Sequence, residues 1–474
     1  MIKKVVVKVP IVSILLVLFL FSCASSKQKL NNSSDFAWAN AIKNIQEIKE
    51  PTFDNKVYNI NDYGANGDGV YNNFEAFKNT IKRCAENGGG VVLVPQGKFF
   101  TGPIHLESNI NLKIEEGAEI VFSTNPSDYP LVVTSFEGTE VINYSPLIYA
   151  YQKTNVAITG KGTINGQGNN SNWWPWCGKD TYGWKKGDPK QKVDKLMKMA
   201  DENVPVAERI FGDGNFLRPN FVEFFECNNV MLKDIKIINA PFWVIHPMKS
   251  NNVIIDGVTV TSHGPNNDGC DPEYSKNVVI RNCNFNTGDD CIAIKSGRDA
   301  DGRRVNIVSE NIYVQNCKMY DGHGGVTIGS EISAGVKNVF VENCVMDSPE
   351  LERAIRLKSN SRRGGFVENL FVRNIQIGEV GESVLGIDLF YSVHGNQDGN
   401  YIPRIDNIVL ENITVKNGGK FAILAKGHKA LPIKNILFKN VVIDKVKTNF
   451  SIENVENLNF INTSINGLKI EKRN

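Results

Sequence analysis

The sequence predicts an all-β chain: a right-handed single-stranded parallel β-helix, closed at its N-terminal end by a capping helix. The first observation is a short repeat. Asn, apolar, any residue and apolar, then a bend residue and a second apolar pair, recur from Asn229, Asn252, Asn277, Asn311, Asn338, Asn369, Asn407, Asn435 and Asn457. The second is that the columns of this repeat stay apolar. One residue after each Asn stand Val230, Val253, Val278, Ile312, Val339, Leu370, Ile408, Ile436 and Leu458. Three after it stand Leu232, Ile255, Ile280, Val314, Val341, Val372, Leu410, Phe438 and Phe460. Alternation is the strand period, and a repeat that cannot bury its apolar face alone must stack on its neighbours. The third is a helical apolar face, Phe74, Phe77, Ile81 and Cys84, ahead of the repeats. A solenoid needs such a plug over the open interior of its first coil.

Taken in order, the first residues read as a targeting segment. Lys3, Lys4 and Lys8 precede an apolar run from Ile11 to Phe21 that is too short to span a bilayer. Leu20-Phe21-Ser22-Cys23 resembles a bacterial lipobox, whose cysteine is lipidated and begins the mature chain. The expected organisation is a signal peptide over 1–22, lipidation at Cys23, a polar tether over 23–50 and one β-helix domain over 51–474. Ala24, rather than Asp, after the cysteine points to the outer membrane. The lipid would be the only membrane attachment, since no later segment is long and apolar enough to span. Those first 22 residues hold three lysines and no acid, which leaves 50 basic against 51 acidic residues. A near-neutral chain is not an electrostatic nucleic-acid binder, so any polyanion must be gripped locally.

Asn72 is positioned to cap the plugging helix, Gly88-Gly89-Gly90 ends it, and Val91 to Val94 is a buried strand. Weaker copies of the repeat, around Asn111 and Asn155, extend the stack towards the N-terminus. Five residues after each repeat start stand Asp234, Gly257, Asn282, Asn316, Asn343, Asn374, Asn412, Asn440 and Asn462, residue types that tolerate a left-handed bend. A coil is thus read as two strands, a bend and a variable return loop. Cys283, Cys317 and Cys344 share a column with Ile235, Val258 and Val441 and read as apolar filling. No cysteine pair has zinc-site spacing, and neither metal nor cofactor is expected. The longest interruption, between Ile164 and Phe221, carries Trp173, Trp174, Trp176 and Trp184, which either stack on sugars or pack the loop. A second long return loop, Val380 to Tyr401, contains Asp388 and Tyr391.

Four charged motifs recur at a matching offset on consecutive coils: Asn266-Asn267-Asp268, Gly288-Asp289-Asp290, Gly322-His323-Gly324 and Arg356-Leu357-Lys358. Coils stack about 4.8 Å apart, so these groups converge on one face. Three carboxylates beside a histidine suit hydrolysis of a glycosidic bond, in which one protonated acid serves the leaving oxygen and ionised carboxylates activate water. Crowding raises a carboxyl pKa and supplies the protonated acid. The Arg–Lys pair has no use on a neutral sugar and suits a substrate carboxylate.

These four segments resemble the signatures of glycoside hydrolase family 28, the polygalacturonases. Asn267 and Leu357 stand where the family usually has Thr and Ile, and Trp243-Val244-Ile245-His246-Pro247 is also similar. The resemblance spans about residues 56–465. It implies a right-handed parallel β-helix and hydrolysis, with inversion, of α-1,4-galacturonosyl bonds in pectin. It assigns Asp289 as general acid, Asp268 and Asp290 to the water, and His323 to the acid's protonation. Arg356 and Lys358 would bind the galacturonate carboxylate, with Asn266 and Tyr391 as further substrate contacts. Gly329-Ser330-Glu331, Gly335-Val336-Lys337-Asn338 and Ser359-Asn360-Ser361-Arg362-Arg363-Gly364-Gly365 look like the bacterial exo-acting branch, which implies release of galacturonate. The alternatives are an endo-acting enzyme, a hydrolase of rhamnogalacturonan or xylogalacturonan, a calcium-dependent pectate lyase, and a non-catalytic sugar-binding protein.

Overall fold

The structure, a computed structural model, describes residues 34–392 and 399–471. Cys23, the signal segment and the first part of the tether lie outside the described residues. The chain divides between Glu47 and Ile48. Residues 34–47, within the expected polar tether, form a helix.

From Val57 onwards the chain winds into a parallel β-helix, right-handed as parallel crossovers are. Each repeat-start Asn sits in the left-handed region, with φ of 57° at Asn229, 55° at Asn252 and 58° at Asn338. That conformation lets most of these side-chain amides donate to the equivalent carbonyl one coil back, although Asn435 donates to Asp406 instead. Asn252 donates to Asn229 at 3.2 Å, Asn338 to Asn311 at 3.3 Å, Asn369 to Asn338 at 3.0 Å and Asn407 to Asn369 at 2.7 Å. A second ladder runs through the bend column, where Asn412 donates to Asn374 at 3.1 Å and Asn440 to Asn412 at 3.0 Å. The first column was read only as a start mark. It proves to be a bend, and its ladder extends back through Asn155 to Asn109, not Asn111. Register explains the shift, because Val156 pairs with Ile110.

The apolar columns face inward and are buried, from Ile110 and Leu112 through Val339 and Val341 to Phe460. Cys283, Cys317 and Cys344 stack in the same core, and all eight cysteines in the described residues are free. At the N-terminal end the helix Phe74–Glu86 buries Ala76, Phe77, Thr80, Ile81 and Cys84. Its N-cap residue is Asn73, not Asn72, although the Asn72 side chain does accept from the Phe74 amide at 3.0 Å. The Asn73 side chain is occupied instead by the backbone of Asn66, Tyr71 and Phe100.

Most coils have a third strand that the two-strand reading missed. Ile104–His105, Ile148–Tyr151, Val222–Phe225 and Ile245–Met248 stack in parallel. Bridges at Cys270 and Glu273 join them to Ile292–Ile294, Val326–Gly329, Arg353–Lys358 and Ser383–Asp388. The Val380–Tyr401 loop is therefore shorter than expected, and Asp388 ends a strand. An antiparallel hairpin, Leu131–Phe136 with Thr139–Tyr144, projects from the coil before Ile148. In the long insertion, the helix Val193–Asp201 buries Val193, Leu196, Met197 and Ala200.

Candidate active site

The third sheet gathers the charged motifs. Asp268 precedes Cys270, Asp289 and Asp290 precede Ile292, and His323 precedes Val326. Arg356 and Lys358 lie on the next strand, on the face opposite buried Ile355 and Leu357. In register, Cys270 pairs with Ile292, Ile292 with Val326 and Val326 with Ile355, so the motifs occupy four successive coils. One oxygen from each of Asp268, Asp289 and Asp290 lies within 4.8 Å of the others. Gly324 is required here, since a Cβ on it would stand 2.3 Å from Thr327 Oγ1 and 2.8 Å from Asp290 Oδ1. Asn267 is fully buried and accepts from the Ser262 hydroxyl at 2.6 Å and the Gly264 amide at 2.9 Å. It shapes the turn under Asp268 rather than meeting the cavity. Asn266 lines the cavity, and its carbonyl oxygen accepts from buried Arg218 at 2.8 Å.

Asp290 is fully buried and held on both oxygens. Oδ1 accepts from Thr327 at 2.7 Å and Arg356 at 3.2 Å, and Oδ2 from Lys358 at 2.6 Å. Burial pushes its pKa up, but Lys358 and Arg356 outweigh that and hold it below the ordinary value. The two cations expected to meet substrate are thus engaged with Asp290 as well. Tyr391 caps them, its ring centre 5.5 Å from the Arg356 guanidinium and 5.2 Å from Lys358 Nζ, so the structure brings this loop residue into the site.

His323 Nδ1 and Asp289 Oδ1 are 3.0 Å apart. Burial raises Asp289, but the His323 charge and hydrogen bond, with Lys358 and Arg356, bring it below the ordinary carboxylate range. His323 is pushed up to about 9, chiefly by the Asp289 charge. The carboxyl raised by burial and crowding is Asp268, to about 7, with Lys295 opposing the rise from 3.5 Å. Crowding therefore does yield a protonated carboxyl, but at rest it is Asp268 and not Asp289, because the histidine takes the proton beside Asp289. With oxygens this close, the three acids titrate as a unit.

A cavity of about 260 Å³ opens onto Asp268, Asp289 and His323. Its other walls include Glu137, Lys179, Trp243, Lys295, Glu331 and Arg363. Sequence reasoning missed most of these. Lys295 links Asp268 at 3.5 Å, Asp271 at 3.7 Å and Glu331 at 3.3 Å, and lies over the Trp243 ring at 4.5 Å. Arg363 donates to Glu331 at 3.0 Å and to Asp299 at 3.0 Å. The advance signals were that Trp243 falls in the family-like stretch Trp243-Val244-Ile245-His246-Pro247 and that Glu331 and Arg363 fall in the exo-like stretches. The insertion tryptophans pack the loop: Trp173 is buried against Tyr129 and Trp176, and the Trp174 indole donates to Ala240 O at 2.8 Å. The insertion contributes Lys179 to the cavity instead.

Comparison with known proteins gives the same site and fold a lineage. The model of "Glycosyl hydrolases family 28" matches residues 212–464, and that of "Rhamnogalacturonase A/epimerase, pectate lyase-like" matches 57–173. An exo-poly-alpha-D-galacturonosidase of Dickeya chrysanthemi is 28% identical, over 87% of this chain and 71% of its own length. An endo-polygalacturonase of Pectobacterium carotovorum is 27% identical, over 79% and 86%. The crystal structure of a hyperthermoactive exopolygalacturonase from Thermotoga maritima superposes with a TM-score of 0.87 at 45% identity, covering 91% of this chain and 97% of that one. A parallel β-helix with three clustered carboxylates, matched over more than half its length by one family model, belongs to glycosyl hydrolases family 28.

Proposed function

We propose that the chain hydrolyses α-1,4-galacturonosyl bonds of polygalacturonate from the non-reducing chain end, with inversion, releasing galacturonate. The observation that carries the hydrolytic reading is one cavity lined by Asp268, Asp289 and His323, behind which Lys358 and Arg356 keep the buried Asp290 carboxylate ionised. Water attacks the anomeric carbon and passes its proton to Asp290. The glycosidic C–O bond breaks, and its oxygen takes a proton from Asp289, the least buried of the three acids. Asp289 draws that proton from the store shared by His323 and Asp268. Attack by water, not by a carboxylate, is favoured because both Asp290 oxygens are tied in charge-assisted bonds. The nearest-oxygen spacing alone lies closer to that of retaining enzymes, about 5 Å between carboxyls, than to the roughly 6.5–9.5 Å usual for inversion. Galacturonate carboxylates would meet Lys358, Arg363 and Lys179, which line the cavity.

End-wise action is supported by the small cavity, walled by Glu137, Glu331 and Arg363, and by the 45% identity to an exopolygalacturonase. A calcium-dependent elimination suits the site poorly. The carboxylates that would bind the ion already face Lys295, Arg356, Lys358 and His323. The test is a digest of defined oligogalacturonides, with products resolved by mass and absorbance of unsaturated uronate followed in parallel. Saturated monomer from the outset is expected. Early mixed oligomers would mean an endo-enzyme, unsaturated products a lyase, and no product a decorated pectin as substrate. Export and anchoring through a lipid on Cys23, in the outer membrane, complete the proposal. It rests on Leu20-Phe21-Ser22-Cys23, and fatty-acid labelling that persists in Cys23→Ser would overturn it.

A further inference from the structure

One buried charged group plays no part in this chemistry. His246 is fully buried between two fully buried glutamates, with Nδ1 3.4 Å from Glu223 Oε2 and Nε2 3.1 Å from Glu273 Oε2. Each ring nitrogen has a carboxylate within 3.4 Å, and the Asn220 amide, bonded to Glu223 at 2.5 Å, also lies 3.2 Å from Nδ1; the two acids favour the imidazolium. Burial opposes that charge, but the two glutamates outweigh it and raise the pKa to about 9. Two buried carboxylates without this cation would be strongly unfavourable.

What the glutamates hold is the wall of the cavity. Glu223 accepts from Thr134 Oγ1 at 3.0 and 2.8 Å, and Glu273 from Ser135 Oγ at 3.5 Å; both donors lie on the hairpin. Glu273 also accepts from the Gly297 amide at 3.1 Å. Its neighbour Arg298 is bolted to the hairpin tip: Arg298 N donates to Gly138 O at 3.1 Å and its guanidinium to Glu137 at 2.6 Å. A Cβ on Gly138 would stand 3.0 Å from Glu331 and 3.1 Å from Arg298, so the tip seats directly on the opposite wall. Both sides of this closure are thus fastened to one Glu223–His246–Glu273 unit.

We propose that His246 is a positioning residue for substrate selection: through Glu223 and Glu273 it sets the hairpin tip against Arg298, and this closure is what limits the cavity to a chain end. The proposal deepens the end-wise reading above and rests on it. The experiment compares wild type, His246→Gln, the charge-matched double variant His246→Gln/Glu223→Gln, and Thr134→Val, which removes the hairpin's direct bond to Glu223, leaving only the bridge through Asn220, and keeps the triad intact. Steady-state kinetics on a defined oligogalacturonide are read together with first products by mass. His246→Gln and Thr134→Val are expected to raise KM by roughly tenfold or more while kcat stays within about twofold, since a misplaced wall costs positioning and not proton transfer. Products longer than monomer should appear early, and the double variant should recover much of the loss. Should His246→Gln fail to fold, Thr134→Val carries the same expectation. A fall in kcat at unchanged KM, or kinetics and products like wild type in Thr134→Val, would overturn the proposal. Mixed oligomers from wild type itself would instead overturn the end-wise reading, and the KM-against-kcat split would still decide the role of His246.

Discussion

Replacing Lys295 with Met should move the alkaline limb of the pH–activity profile upwards. In wild type the acid cluster holds its carboxyl proton with a pKa of about 7, at rest on Asp268. The reaction needs this store filled at both Asp268 and His323, the latter with a pKa of about 9, so kcat/KM should fall as pH rises through the lower value, about 7. At two pH units above that value about 1% of the sites keep the proton, which predicts roughly a hundredfold lower kcat/KM near pH 9. Lys295 Nζ lies 3.5 Å from Asp268 Oδ2 and lowers its pKa. At that distance and an effective dielectric of about 20, the attraction is ~5 kcal/mol. Even a third of it, ~1.5 kcal/mol, raises the limb by roughly one pH unit. The assay is kcat/KM against pH for both proteins, because that ratio reports the free enzyme, with melting temperature as the folding control. A limb that stays in place or moves down would refute the reasoning, as would wild-type activity that climbs from pH 7 to 9.

Asp289→Asn should cut kcat by at least about a hundredfold with little change in melting temperature; near-normal turnover would remove its role as proton donor. Lys358→Ala should lower kcat as well as raise KM, because Lys358 holds Asp290 at 2.6 Å, and should cost ~3–5 kcal/mol in denaturant unfolding, since the pair is buried. A pure KM effect would confine it to the substrate. Asn338→Ala should destabilise by ~1.5–4 kcal/mol, from two lost ladder bonds and from losing the tolerance of Asn for the left-handed backbone at φ 58°. Asn338→Gly keeps the backbone and should cost only ~1–3 kcal/mol, so equal losses would deny the backbone contribution.

Much of this fold was legible because its core is periodic. Val230, Val339 and Ile436 repeat one column at a fixed offset from an Asn, and only a stacked coil buries such a column. The third strands were not legible. Ile292–Ile294 and Val326–Gly329 are short, lie among glycines and charges, and become strands through pairing with the coils on either side. The hairpin did carry a signal that was passed over: Glu137-Gly138 between two β-rich runs is a turn.

The catalytic set was legible as residue types in register, and the structure brings Asp268, Asp289, Asp290, His323, Arg356, Lys358, Asn266 and Tyr391 to one site. What spacing could not give was the division of charge. Arg356 and Lys358 read as substrate ligands, yet their closest partner is Asp290. The resting carboxyl proton sits on Asp268 because His323 is 3.0 Å from Asp289, a distance fixed only by the stacking of two coils. Lys295 and Glu137 were invisible for the same reason, since they become neighbours of the site only where separate loops meet.

The most direct test of the account is a proton NMR time course of the first turnovers on a saturated oligogalacturonide. Water attacking opposite the leaving oxygen converts an α bond into β-galacturonate, so β monomer should appear first and mutarotate to α. α monomer appearing first would replace the water with a carboxylate nucleophile and contradict the assigned roles, and a vinylic signal would contradict hydrolysis itself.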